Sequence, residues 1–116
     1  MIRINGAAIT ADATGANAFA LGDAANGVVS TWVIQVVLAS GTVAILPKGI
    51  VAESGLTSAD FVNLSYVNRN TGAVVAGGTA ISASGIYDIN ASGCAVYLDV
   101  DVTGASLDIY TNPVAG

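Results

Sequence analysis

Apolar and polar residues alternate along most of the chain, and short glycine-bearing breaks separate the alternating stretches. A period of two is typical of β-strands with one buried face, and no stretch shows the spacing of an amphipathic helix. The two clearest examples are TWVIQVVLASGTVAILPKGIV, residues 31–51, and CAVYLDVDVTGASLDIY, residues 94–110. The pattern predicts an all-β protein.

The first of these stretches is predicted to be a hairpin that turns at Ser40–Gly41. This turn pairs Val36 with Ile45 on one apolar face. The opposite face is also largely apolar, so we expect the hairpin to be central in the sheet or covered on both sides. Pro47 has no amide hydrogen and is expected to mark the end of regular pairing or an edge.

The second stretch is predicted to be a hairpin with a loop at residues 104–105 or at residues 103–106. Both loops give the same register, which pairs Val100 with Ile109 on the inner face. Cys94 continues the inner apolar row, where a free cysteine behaves as a small hydrophobic residue. It therefore indicates neither a disulfide nor a reactive thiol.

The same register places Asp101 opposite Asp108 and Asp99 opposite Tyr110 on the outer face. Like charges that face each other directly are destabilising. Three explanations stay open: the carboxylates are simply solvated, they contact a cationic patch on a partner, or they bind a hard cation such as Ca²⁺. These residues and Tyr97 form the predicted partner-contact face, which comprises Tyr97, Asp99, Asp101, Asp108 and Tyr110.

Residues 1–30 are predicted to form an N-terminal hairpin followed by an arm rich in glycine and alanine. An Asn5–Gly6 turn would pair Ile2 with Ile9, and the arm would contain one short strand around Phe19. A short helix is the alternative, which the glycines in this segment disfavour. The candidate arm residues are Ile2, Ile4, Ile9 and Phe19. Such an arm can order on a neighbouring chain by adding a strand to it, and deleting residues 1–25 is then expected to leave a folded domain.

Residues 31–116 are predicted to form the main domain. A third hairpin turns between Asn68 and Gly72, and further strands are expected at residues 79–82 and 85–89. The total of eight or nine short strands, at this spacing, predicts a single antiparallel β-sandwich or jelly-roll-like domain.

The low content of charged residues indicates that the protein binds other protein chains. Charged residues make up 9% of the 116 residues, against about 25% in ordinary soluble domains. Apolar residues reach 53%. We therefore expect part of the surface to be buried against other protein chains. The alternative is a monomer whose surface is mostly alanine, threonine, serine and asparagine.

The same composition excludes several classes of partner. The net charge is −5 and the chain has three cations, so it lacks the basic patch that nucleic-acid binding or an anionic membrane surface requires. Its longest apolar run, residues 32–39, is far shorter than a membrane span. Because the N-terminal residues lack the apolar core of a signal peptide, we expect the chain to be used without export through a membrane.

Catalytic chemistry is not indicated, and no cofactor or metal is expected. The chain has no histidine, and Lys48 is more typical of an edge or turn residue than of a Schiff-base lysine. Five aromatic residues suggest a sugar-binding platform, but an assignment of the tryptophan to the core and of the tyrosines to cross-strand contacts is favoured. These five residues are Trp32, Tyr66, Tyr87, Tyr97 and Tyr110.

The C-terminal half, from an NTG turn through SGIYDIN to ASGCAVYLDVDVTGASLDIYTN, resembles small β-sandwich modules of the structural proteins of tailed bacteriophages. The matching positions are Gly85, Ile86, Tyr87, Ile89, Gly93, the row from Val96 to Val102, Gly104, and Leu107 to Tyr110. The penultimate strand of such modules is often basic, whereas this chain has Tyr97, Asp99 and Asp101 at the polar positions.

The resemblance implies a role in a virion that is assembled in the host cytoplasm. We expect a capsid decoration (cement) protein that bridges subunits of the major capsid protein, or contacts another virion protein, and that forms a homo-oligomer, commonly a trimer. The alternative is a receptor- or carbohydrate-binding module of a phage tail or fibre. A self-assembling surface-layer or fibre subunit is a third possibility.

Overall fold

The structure is a computed structural model, and it describes residues 2–22, 29–50, 61–91 and 94–115. The described residues form one eight-stranded sheet whose paired strands are antiparallel, and this confirms the all-β class. The strands are β1 (Ile2–Arg3), β2 (Phe19–Gly22), β3 (Val29–Ile50), β4 (Val62–Asn63), β5 (Tyr66–Asn68), β6 (Ala73–Val75), β7 (Gly85–Asn90) and β8 (Ala95–Ala115). Their order is β1-β8-β3-β7-β5-β6, with β2 also on β8 and β4 also on β3. The finer assignment to a sandwich or jelly roll stays a prediction.

Two long strands, β3 with 22 residues and β8 with 21, replace the two predicted hairpins. They pair with each other along almost their whole length, from Val29 opposite Ala115 to Ile50 opposite Ala95. The predicted partners were therefore wrong. For example, Ile45 lies opposite Val100, and Val36 is not its neighbour but lies opposite Ile109.

The short stretches of small residues, where the two hairpin turns were predicted, are instead bends within β3 and β8. In β3 the buried positions are even-numbered up to Val36 and odd-numbered from Val43 onwards. In β8 the same change falls between Val100 and Ala105. Because both strands bend and change parity at the same level, the inner side chains of both halves pack into one hydrophobic core.

At the bend the backbones of the two strands touch at Gly41 and Gly104. Both glycines have positive φ, +76° and +58°. A Cβ on Gly41 would overlap the Gly104 carbonyl oxygen and lie 2.5 Å from the Ala105 Cα. Only glycine permits this approach, because any side chain would push the strands apart.

The N-terminal segment, residues 2–22, runs antiparallel along the edge of β8 in the same chain. Ile2 lies opposite Thr111, Ile9 bridges to Leu107 and Phe19 lies opposite Leu98. The predicted pairing of Ile2 with Ile9 was therefore wrong, whereas the short strand around Phe19 is confirmed as β2. One turn of 3₁₀ helix at Gly15–Asn17 precedes it.

This segment completes the core. Ile9 and Ala13 are buried, and Ile4 and Phe19 pack against the core while Ile2 is exposed. Deleting residues 1–25 would remove Ile9 and Ala13 from the core, so we expect the truncated chain to be destabilised, whereas the arm hypothesis predicts that it stays folded.

The predicted central position of β3 is confirmed, since it lies between β8 and β7. Pro47, expected to end regular pairing, instead lies inside β3 opposite Leu98. Its carbonyl accepts a hydrogen bond from Leu64 N–H, on the side away from β8. The backbone N and C=O of a strand residue point to the same side, so the missing amide hydrogen does not interrupt the β3–β8 ladder.

The third predicted hairpin is confirmed. β5 and β6 pair from Tyr66 opposite Val75 to Asn68 opposite Ala73, and the turn between them ends at Gly72. The strand predicted at residues 85–89 is confirmed as β7. The one predicted at residues 79–82 is reduced to a single bridge between Ile81 and Ile45.

Replacing Gly41 with alanine is expected to lower the free energy of unfolding by more than about 4 kcal/mol, in the range of exceptional substitutions, because the Cβ forces the two bends apart. Gly72→Ala is the matched control, since Gly72 has the same φ of +76° and nothing within 4 Å of the added atom. It should cost only about 1–2 kcal/mol for the left-handed backbone. Urea unfolding of both variants measures the difference, and equal losses would show that the strands do not meet at Gly41.

Candidate functional site

The bend in β8 divides the predicted partner-contact face into two parts. Tyr97, Asp99 and Asp101 precede the bend, whereas Asp108 and Tyr110 follow it. They lie on the outer faces of different halves of the sheet. Asp101 lies opposite Ala44 and Asp108 opposite Val37, so the predicted opposition of two carboxylates does not occur.

Every cation of the chain pairs with an aspartate of the same chain. The Arg3 guanidinium contacts Asp108 Oδ1 at 2.6 Å through Nη2 and donates to it from Nε at 2.8 Å. The two other pairs are Lys48 Nζ with Asp99 Oδ2 at 3.4 Å and Arg69 Nε with Asp88 Oδ2 at 2.8 Å. The hydrogen bond to Asp88 and the charge of that carboxylate raise the pKa of Arg69. Asp99 and Asp108 are thus neutralised within the chain.

Two aspartates also fasten the N-terminal segment to β8. The Gly15 N–H donates to Asp99 Oδ1 at 2.8 Å, and the Val102 N–H donates to Asp12 Oδ1 at 2.8 Å. These carboxylates satisfy backbone donors that the irregular segment leaves unpaired. Asp101 is exposed, and within the described ranges it makes no ion pair or hydrogen bond.

The aromatic residues do not gather into a platform. Trp32, Tyr66 and Tyr87 are buried, which confirms the assignment of Trp32 to the core. Tyr66 and Tyr87 meet edge to face with ring centroids 5.8 Å apart. Tyr97 is half-buried with its ring 4.7 Å from that of Phe61.

Both buried tyrosine hydroxyls have hydrogen-bond acceptors. Tyr66 donates to the Thr79 carbonyl at 2.9 Å and Tyr87 to the Ala83 carbonyl at 2.8 Å. Burial raises the pKa of both tyrosines, and the neighbouring Tyr87 adds to the effect at Tyr66. These two hydroxyls thus fasten the segment between β6 and β7 to the core and are not presented to a ligand.

Cys94 lies just before β8 and is half-buried. A Cβ on Gly49 would lie 3.1 Å from its Cβ and 2.9 Å from the Leu64 side chain. The Cys94 side chain thus lies beside Gly49 and Leu64, where β3 ends and β8 begins. In the part of the chain that the structure describes, no three His, Cys, Asp or Glu side chains gather in a way that would hold a metal ion.

An apolar face lies on the outside of the sheet, and of the predicted site residues it includes only Asp108 and Tyr110. The inner residues of β3 alternate with Val33, Gln35 and Val37, which point outward. The strand registers extend this face across β8, β3, β7, β5 and β6. We call it the outer apolar face, and its apolar members are Val33, Val37, Val67, Val74, Ile86 and Tyr110.

Water reaches much of the outer apolar face in the single chain. Val37 is 42% exposed and Val74 is 76% exposed. The carboxylates on this face, Asp88 and Asp108, are paired with Arg69 and Arg3. The face therefore carries little net charge, and its apolar residues have polar neighbours such as Gln35, Asp88 and Asn112. The sequence signal for it was the apolar character of both faces of the stretch around residues 32–38.

Comparison of the chain with protein-family models, with curated proteins and with solved structures finds no match. No helix among the described residues has the length and apolar character needed to span a membrane.

Asp108→Asn is expected to lower the free energy of unfolding by about 0.5–1 kcal/mol, because it removes the partner of Arg3 on a partly exposed surface. The loss should shrink as salt is added. Asp101→Asn is the matched control and should change stability by less than about 0.5 kcal/mol. Unfolding titrations at low and high salt measure both. Equal, salt-independent effects of the two substitutions would contradict the pairing of Arg3 with Asp108.

Proposed function

We propose that the chain is a structural protein of a phage-like virion, most specifically a capsid decoration (cement) protein that stabilises the head by bridging capsid subunits. The observation that carries the proposal is the outer apolar face, which spans five strands and is left open in the single chain. The resemblance of the C-terminal half to β-sandwich modules of phage structural proteins supports the choice of a virion. The partners are the major capsid protein or another virion protein, together with further copies of the chain, commonly three.

The mechanism is burial of apolar surface. Each 100 Å² of apolar surface removed from water contributes about 2.5 kcal/mol before the costs of association are subtracted. Covering the outer apolar face also removes water from its two ion pairs, Arg3 with Asp108 and Arg69 with Asp88, and this cost offsets part of the gain. The proposed activity is therefore mechanical and requires no catalytic group or cofactor.

No observation favours the alternative, a carbohydrate- or receptor-binding module. Trp32, Tyr66 and Tyr87 are in the core, so the side chains of the suggested sugar platform are not on the surface together. The number of copies of the chain in each virion distinguishes a decoration protein from a tail or fibre module. Quantitative mass spectrometry of virions from the genome that encodes the chain should find hundreds of copies per particle, whereas a handful or none would refute decoration.

Two single substitutions, one inside and one outside the outer apolar face, test which surface binds the capsid. Val37→Asn places an amide in the outer apolar face and is expected to weaken binding to particles that lack the protein by about tenfold or more, because a polar group is buried without a partner. Val62→Asn is the matched control, since Val62 is 58% exposed and lies outside that face. Co-sedimentation with particles measures both variants, after their thermal unfolding shows that they fold. Unimpaired binding by Val37→Asn would exclude the outer apolar face as the contact.

A further inference from the structure

The Asn5–Gly6 pair follows β1 in an exposed turn. Both residues are exposed, and Gly6 has a φ of +65° with nothing within 4 Å of an added Cβ. Within the described residues, no hydrogen bond restrains the Asn5 side chain. The Gly6 N–H is held by one long hydrogen bond, 3.3 Å to the Arg3 carbonyl. The asparagine carboxamide and the backbone nitrogen that follows it are thus both accessible.

We propose that Asn5 is a site of spontaneous deamidation, a chemical modification that is independent of the proposed function. The Gly6 amide nitrogen attacks Asn5 Cγ and forms a new C–N bond. The bond from Cγ to the side-chain nitrogen then breaks, and ammonia leaves with the proton that the Gly6 nitrogen has lost. Water opens the resulting five-membered succinimide to give isoaspartate or aspartate at position 5. No oxidant or reductant takes part.

The structure distinguishes Asn5 from other asparagines. Asn112 precedes Pro113, whose nitrogen carries no hydrogen to lose. Asn70 donates to the Ser84 carbonyl at 3.4 Å, and Asn68 Oδ1 accepts a hydrogen bond from the Asn70 N–H at 2.9 Å. Glycine in the next position leaves the approach of the attacking nitrogen unhindered, because it has no side chain.

Deamidation of Asn5 would place a new carboxylate close to the ion pair between Arg3 and Asp108. Arg3 donates from Nη1 to the Gly6 carbonyl at 3.2 Å while its other nitrogens hold Asp108. A new carboxylate at position 5 lies two residues from this guanidinium and competes with Asp108 for it. Isoaspartate also lengthens the main chain by one methylene. The turn leads to Ile9, which is buried and paired with Leu107, so the change occurs in the segment that completes the core.

The test is to incubate the full chain at mildly alkaline pH and follow it by ion-exchange chromatography and by fragmentation mass spectrometry. We expect a species with one additional negative charge to accumulate, faster at higher pH, with isoaspartate located at position 5. Asn5→Gln should lose this species. Gly6→Ala should form it more slowly, because the added Cβ hinders the attack.

A second Asn–Gly pair, Asn26–Gly27, lies outside the described residues, and Asn26→Gln removes its contribution. The proposal predicts that Asn26→Gln still gives the modified species at position 5. It is overturned if Asn5 stays unmodified in that variant, or if adding Asn5→Gln to Asn26→Gln leaves the rate of charge gain unchanged.

Discussion

The pairing of β3 with β8 is the constraint on which the rest of the molecule depends. Two strands of more than 20 residues stay hydrogen-bonded while both bend at the level where Gly41 touches Gly104. The bend turns the inner faces of both halves toward one core. It also leaves the outer edge of β8 to the N-terminal segment and the outer edge of β3 to β7 and β4. A chain without this contact would have to bury its apolar rows in some other way.

The sequence predicts which residues face inward better than it predicts which strands pair. An alternation that changes parity at a glycine gives the same inner row in a hairpin as in a bent strand, so Val100 was correctly placed inside. The predicted strand partners were wrong because β3 pairs with β8, which is distant in the sequence, and such a pairing leaves no local signal. The predicted opposition of Asp101 and Asp108 followed from the hairpin. The actual partner of Asp108 is Arg3, which lies 105 residues away.

The candidate site shows the same limit. The sequence indicates a protein that buries part of its surface, and the structure places apolar residues, with polar ones between them, on one outer face that crosses five strands. Which side chains share that face depends on registers such as Gln35 with Tyr110 and with Ile86, and alternation alone does not specify them. The acidic residues chosen from the sequence proved mainly to be partners of the few cations and of the N-terminal segment. The proposed assembly therefore uses the outer apolar face, whose two carboxylates are paired with arginines of the same chain.

Cross-strand nuclear Overhauser effects test the β3–β8 pairing most directly. Ile45 exchanges both backbone hydrogen bonds with Ile81, and Val100 exchanges both with Ala13, so Ile45 and Val100 form a pair without mutual hydrogen bonds. Their Cα atoms should then lie about 4.5 Å apart, close enough for a strong contact between the two Hα protons. The β3–β8 pairing predicts an Hα–Hα contact between Ile45 and Val100. Contacts of Ile45 with Val36, and of Val100 with Ile109, would instead show two local hairpins and contradict it.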